Sequence, residues 1–69
     1  MVATSENVRI TVMGASRLNH SFADTLWIGH HENPFTVGIE SAKRICGGLE
    51  NVLTATVYDE GMNPIGAIR

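Results

Sequence analysis

Hydrophobic and polar residues alternate near the start of the chain. Within residues 8–13, the β-branched Val8, Ile10 and Val12 are separated by Arg, Thr and Met. A period of two in β-branched residues is typical of a strand with one buried face. The pattern predicts a first strand that ends at Gly14.

A second strand is predicted over residues 22–29, after a connecting loop at residues 15–21. Leu18, Phe22 and Leu26 are four residues apart, as on a helix, but the Ser, Asn, His and Thr residues between them are weak helix formers. Thr25, Leu26 and Ile28 favour a pleated, half-buried surface. Trp27 lies between Leu26 and Ile28 and must point to the opposite face of the strand. Two interpretations stay open: Trp27 is exposed on the outer face of the sheet, or it anchors the core.

The segment that follows the second strand is predicted as a turn. It covers residues 30–34, His-His-Glu-Asn-Pro, in which Pro34 favours an extended conformation at Asn33. Residues 35–37 are Phe, Thr and Val, which leaves open a short third strand before the helix.

A helix is the strongest prediction in the second half. Its apolar positions share the spacing i, i+3, i+7 and i+10: Ile39, Ala42, Cys46 and Leu49, with Ile45 beside them. Glu40 precedes Lys43 and Arg44 by three and four residues, which favours ion pairing on the polar side. Gly47-Gly48 either ends the helix or lets the sheet approach closely. We expect Leu49 to be part of the core.

The C-terminal third predicts a β-hairpin. Apolar and Thr or Tyr residues alternate over residues 53–58, and residues 59–64 are dense in turn-forming types. We expect Gly61 to supply a positive φ in this turn. Pro64 begins the return strand, which suits the edge of a sheet.

These elements predict an α+β fold in the order β-β-(β)-α-β-β. The sheet is antiparallel, with four strands or with a fifth at residues 35–37, and the helix packs on one face. Sixty-nine residues leave room for one core, so we expect a single domain over residues 1–69 with residues 1–6 as a loose lead-in.

Composition narrows the class of protein. The net charge is −2, from five basic and seven acidic residues, and no basic tract is present to attract phosphate. No apolar run reaches the ~20 residues of a membrane span, and the first residues lack the features of a signal peptide. A single cysteine excludes an internal disulfide and suits a reducing compartment. We therefore expect a cytoplasmic protein without a membrane association.

Candidate chemistry is sparse. His30-His31-Glu32 could form a metal or acid–base site, with His20 or Cys46 as a further ligand, but adjacent strand residues point to opposite faces. Cys46 on the apolar helix stripe is typical of a buried hydrophobe. A Ser-His-Asp set could be drawn from Ser16 or Ser21, His20 and Asp24, yet no nucleophile elbow surrounds either serine. We predict no catalytic residue, no metal and no cofactor.

Surface residues favour a binding function. If Trp27 is exposed, it forms with Tyr58 and methionines a patch resembling the aromatic-rich cores of protein interfaces. We predict a non-enzymatic inhibitor or adaptor that binds a protein partner through its sheet face. The predicted contributors to that interface are Trp27, Tyr58, His30, His31 and Arg17. Self-association is a further prediction, since so small a domain gains stability from a second copy.

Two alternatives come from other classes. A nucleic-acid-binding module would use Trp27 for base stacking together with the basic residues Arg9, Arg17, Lys43 and Arg44. A small metal protein or hydrolase would use His30 and His31. In size and element order the chain resembles small bacterial and phage proteins, among them compact anti-CRISPR inhibitors that often bind proteins with one sheet face. This resemblance covers topology only and assigns a role to no residue.

Overall fold

Four strands and one helix make up most of residues 7–68, the part of the chain that the computed structural model describes. The elements are β1 (Asn7–Ser16), β2 (Ser21–Gly29), α1 (Pro34–Cys46), a 3-10 turn (Leu49–Asn51), β3 (Val52–Tyr58) and β4 (Pro64–Ile68). The strands form one antiparallel sheet in the order β2-β1-β3-β4, with α1 against one face. The predicted α+β fold is confirmed. The lead-in predicted at residues 1–6 lies outside the described residues.

β1 is longer than its sequence pattern suggested. The prediction that the strand ends at Gly14 is wrong, because β1 continues to Ser16 and pairs with β3 there. A Cβ atom at Gly14 would lie 2.0 Å from the carbonyl oxygen of Thr54. Glycine therefore allows β3 to approach closely instead of ending the strand. The connection to β2 shrinks to residues 17–20.

Residues 17–19 form a three-residue hairpin loop, which the pair Ser16 and His20 closes. Ser16 donates its backbone N–H to the His20 carbonyl at 2.8 Å, and Asn19 donates to the Ser16 carbonyl at 3.0 Å. Asn19 takes the left-handed conformation, with φ of 67°. Asn tolerates this conformation better than most residues, which suits this position of the loop.

The β3–β4 connection repeats this geometry, but the positive φ lies elsewhere than predicted. Met62, with φ of 63°, takes the left-handed position that was expected at Gly61. Asp59 accepts backbone hydrogen bonds at 2.9 Å from both Gly61 and Asn63. The Asn63 donor, with the Gly61 donor, lowers the pKa of the Asp59 carboxyl. The predicted edge position of Pro64 is confirmed, since β4 is the last strand of the sheet.

α1 begins earlier than expected. Asn33 is the N-cap residue in an extended conformation, and its side chain accepts from the backbone N–H groups of Phe35 and Thr36. Pro34 then occupies the first helical position, where its missing N–H costs nothing. The short third strand considered at residues 35–37 is therefore wrong, because those residues form the first turn of the helix.

α1 also ends earlier. Gly47 has a left-handed φ of 84°, and Gly47 and Gly48 both donate to the Lys43 carbonyl, which closes the helix. Leu49 consequently lies beyond the helix and is 50% exposed. Its expected place in the core is wrong, since the 3-10 turn points it away from the apolar stripe.

The core lies between α1 and the face of the sheet that it covers. Its buried apolar residues come from every described element except β4 and the 3-10 turn: Ile10, Val12, Ile28, Ala42, Val52, Ala55 and Val57. Ser41 is buried as well, and its hydroxyl donates to a carboxylate oxygen of Asp24 at 3.0 Å. This bond ties α1 to β2. No helix within residues 7–68 combines the length and hydropathy that crossing a membrane requires.

Candidate protein interface

The sheet face opposite α1, called the open face below, has no described element over it. Strand alternation and register place these residues on it: Arg9, Thr11, Met13, Ala15, Ser21, Ala23, Thr25, Trp27, Thr54, Thr56, Tyr58 and Ala67. None of them is buried. The open face is therefore a solvent-facing surface made by the same strands that build the core.

Small and hydroxyl-bearing side chains dominate the open face. Among the described residues of the open face, Arg9 is the only one with a charged side chain. Thr11 and Thr25 face each other across β1 and β2, with their hydroxyl oxygens 3.3 Å apart. Desolvation of such a surface costs little free energy, because few charged groups have to leave water when a partner covers it.

Trp27 is the largest side chain on the open face, and it is 62% exposed. Its neighbour Ile28 is 3% exposed and points into the core, so the exposed interpretation of Trp27 is the correct one. Tyr58 is half-buried on the same face, two strands away and two residues further along, at an expected backbone separation of roughly 12 Å. Arg9 and Thr11 occupy the strand between the two aromatic side chains.

The other predicted interface residues divide between the two ends of the sheet. His30 and His31 are exposed directly after β2, at the end nearer to Trp27, and their rings lie edge-to-face with centroids 6.2 Å apart. Arg17 lies at the opposite end, in the β1–β2 loop. Its Nε donates to the Glu50 carbonyl at 3.1 Å. Trp27, Tyr58, His30 and His31 can therefore serve one surface, whereas Arg17 holds the 3-10 turn in place.

The basic residues of the nucleic-acid alternative do not come together. Arg9 is on the open face, and Arg17 is in the loop at the far end. Lys43 and Arg44 lie in the last turn of α1, on the other side of the sheet, where Lys43 pairs with Glu40 at 3.4 Å. The structure thus assembles no continuous basic stripe from these four side chains.

One small pocket lies between the β1–β2 loop and the C-terminal end of α1. Its cavity of about 150 Å³ is lined by Ser16, Leu18, His20, Ser21, Phe22, Ile45 and Cys46. His20 and Cys46 therefore share a wall, but His30 and His31 are at the other end of β2. Within residues 7–68, no three His, Cys, Asp or Glu side chains gather as metal ligands would.

Sequence reasoning missed Ala23 and Thr56 on the open face. Neither carries a chemical signature, and only the strand order places them near Trp27 and Tyr58. The period of two was a usable signal for their orientation, but it does not tell which strands are neighbours. In comparisons with known proteins, no family model, no curated protein and no solved structure matches this chain.

Proposed function

We propose that this protein is a non-enzymatic binding protein, of inhibitor or adaptor type, whose open face docks onto a protein partner. The observation that carries the proposal is Trp27, which is 62% exposed on a sheet face whose described residues include one charged side chain. Protein interfaces are enriched in Trp, Tyr, Met and Arg at their centres and depleted in Lys, Asp and Glu. Trp27, Tyr58, Met13 and Arg9 match that composition. The non-enzymatic part rests on the sequence, which contains no pattern of an activated nucleophile or ligand set.

A nucleic-acid-binding function is the second candidate, favoured by one specific observation. Arg9 lies directly opposite Trp27 in the β1–β2 register, so a basic and an aromatic residue are neighbours on the open face. Single-stranded nucleic acids are bound by such combinations, through stacking and phosphate contacts. The remaining basic side chains lie off the open face, so the attraction to a phosphate backbone is weak. A protein partner is therefore the better-supported proposal.

The test is affinity capture from a lysate of the source cells, with and without nuclease, using the natural chain and three variants. Trp27→Ala and Tyr58→Ala each remove an aromatic side chain of the open face. Leu49→Ala is the matched control, because Leu49 is similarly exposed but lies outside that face. We expect the natural chain and Leu49→Ala to retain a stoichiometric protein. A central Trp is worth about 2 kcal/mol or more, so Trp27→Ala should weaken binding at least ~30-fold.

Salt dependence separates the two candidates. The affinity for a protein partner bound by apolar burial changes little between low and moderate salt. The logarithm of the affinity for nucleic acid falls against the logarithm of the salt concentration, with a slope of about −0.7 to −0.9 for each phosphate contacted. Recovery of nucleic acid alone, sensitive to nuclease and to Arg9→Ala, would replace the protein partner by the second candidate. Equal recovery of a protein by Trp27→Ala, Tyr58→Ala and the natural chain would reject the open face as its binding site.

A further inference from the structure

β2 has unpaired backbone groups along its outer edge. The Ser16–His20 bond of the hairpin identifies these two residues as a hydrogen-bonded pair of the ladder. Hydrogen-bonded pairs alternate with non-hydrogen-bonded pairs along antiparallel strands. The backbone N–H and C=O groups of every second β2 residue therefore bond to β1, and those of the other residues point away from β1, toward the outer edge. The outward set is Ser21, Ala23, Thr25, Trp27 and Gly29.

The hydrogen bonds of Gly29 agree with this assignment, and the unpaired edge of β2 ends at this residue. Its N–H donates to the Glu32 carboxylate, and its carbonyl accepts from the Glu32 backbone at 3.1 Å. Glu32 thus satisfies the last outward position from within the chain. Ser21, Ala23, Thr25 and Trp27 have no such backbone partner among the described residues, and all four are exposed.

The two edges of the sheet differ in their protection against pairing. β4 has five residues, begins with Pro64 and carries a register shift where it faces Tyr58. Proline and irregular pairing are common ways in which edge strands avoid further partners. β2 has nine residues without Pro, Lys or Arg, and its single charge is Asp24 on the side of α1.

Asp24 disfavours the register that would pair the most residues of β2 with a second, antiparallel β2. A two-fold axis at Asp24 would match all four free outward residues but would set two carboxylates directly opposite each other, which is unfavourable. An axis at Thr25 sets Asp24 opposite Leu26 of the second copy. Thr25 then pairs with Thr25 of the second copy, and Ala23 pairs with Trp27 of the second copy.

We propose that β2 pairs with the β2 strand of a second copy about a two-fold axis at Thr25, which joins two sheets into one of eight strands. The Thr11–Thr25 contact then continues into the second copy, and each indole covers an alanine. Glu32, bound to Gly29, limits the new ladder to residues 23–27. This pairing uses backbone groups at the edge of β2, whereas the protein partner proposed above binds the open face, and the pairing makes the two open faces continuous.

The apolar side chains beside β2 supply area for this interface. A stable dimer buries about 600 Å² or more of the surface of each copy. The accessible surface of this chain is 4634 Å². Trp27 exposes about 150 Å² if a full Trp side chain has about 250 Å². Leu18 and Ile45, 68% and 45% exposed, line a pocket with Phe22 of β2 and add apolar surface near the start of that strand.

The first experiment measures mass by sedimentation across a concentration series. Thr25→Pro removes a backbone N–H that points outward and makes no hydrogen bond to β1. Ala67→Pro is the matched control, because it removes an outward N–H from the β4 edge. We expect the natural chain and Ala67→Pro to reach twice the mass of one chain, and Thr25→Pro to stay monomeric. A monomeric natural chain at millimolar concentration, or a Thr25→Pro dimer of unchanged affinity, would overturn the proposal.

The second experiment tests the register and does not depend on how Thr25→Pro folds. In a Cys46→Ala background, Thr25→Cys places two thiols across the axis at a Cα separation of about 5.5 Å, within disulfide range. We expect mild oxidation to give a covalent dimer with Thr25→Cys and none with Ala67→Cys. A covalent dimer from Asp24→Cys but not from Thr25→Cys would overturn the register. If Tyr58→Ala no longer captures the protein partner but still forms a dimer, the result concerns the open face alone, and the β2 pairing is supported.

Discussion

The two faces of the sheet are built by the same strands and differ in almost every physical property. On β1, Ile10 and Val12 are at most 2% exposed beneath α1, whereas the alternate residues Arg9 and Thr11 are exposed and half-buried, respectively. The apolar side of β1 is the side that α1 covers, because α1 can cover only one face of the sheet.

Polar groups are treated differently on the two faces. Beneath the helix, the Asp24 carboxylate is half-buried and accepts a hydrogen bond from buried Ser41. On the open face, Thr11 and Thr25 contact each other and remain accessible to water. A polar group on the covered face needs a partner in the protein, because an unsatisfied buried group costs more than the bond itself contributes.

The largest expected effect breaks the covered face. Ile10→Ala removes a side chain that is 2% exposed and leaves a cavity, which should lower the free energy of unfolding by about 2–5 kcal/mol. Arg9→Ala, one position away on the open face, is the control and should stay within about 0.5 kcal/mol of the natural chain. Urea denaturation measures both. Similar losses for the two variants would contradict the division of the strand into two faces.

A smaller effect is expected at the polar contact beneath the helix. Ser41→Ala should lower the free energy of unfolding by roughly 1–2 kcal/mol, because the Asp24 carboxylate loses its donor. A double-mutant cycle with Asp24→Ala isolates the contribution of the pair, and we expect a coupling of at least about 0.5 kcal/mol. Additive losses would show that the two side chains do not stabilise each other.

The smallest effect on stability is expected where binding matters most. Trp27→Ala removes an exposed side chain and should change the free energy of unfolding of the monomer by about 0.5 kcal/mol or less. Denaturation at a concentration below that of self-association makes the measurement specific to the single chain. A loss of 2 kcal/mol or more would mean that the indole is part of the folded core and not a surface for a partner.

Local patterns in the sequence determined much of the architecture. The alternation at Val8, Ile10 and Val12 and the apolar spacing of the helix are properties of neighbouring residues, so both elements were predictable. Pro64 marked an edge strand because proline lacks a ladder donor. Asn33-Pro34 was also a local signal, for an N-cap and first helical residue, but the β propensity of Thr36 and Val37 favoured a strand and the prediction was wrong.

Tertiary structure alone decided what surrounds the candidate site. Alternation placed Trp27 opposite Ile28 but left open which of them faces the helix, and only the packing of α1 settled that choice. Nothing local distinguishes an edge strand without proline from a central one, so the free edge of β2 depends on the strand order β2-β1-β3-β4. The physical reason is that pairing and burial are relations between distant segments, whereas a sequence pattern describes only a residue and its neighbours.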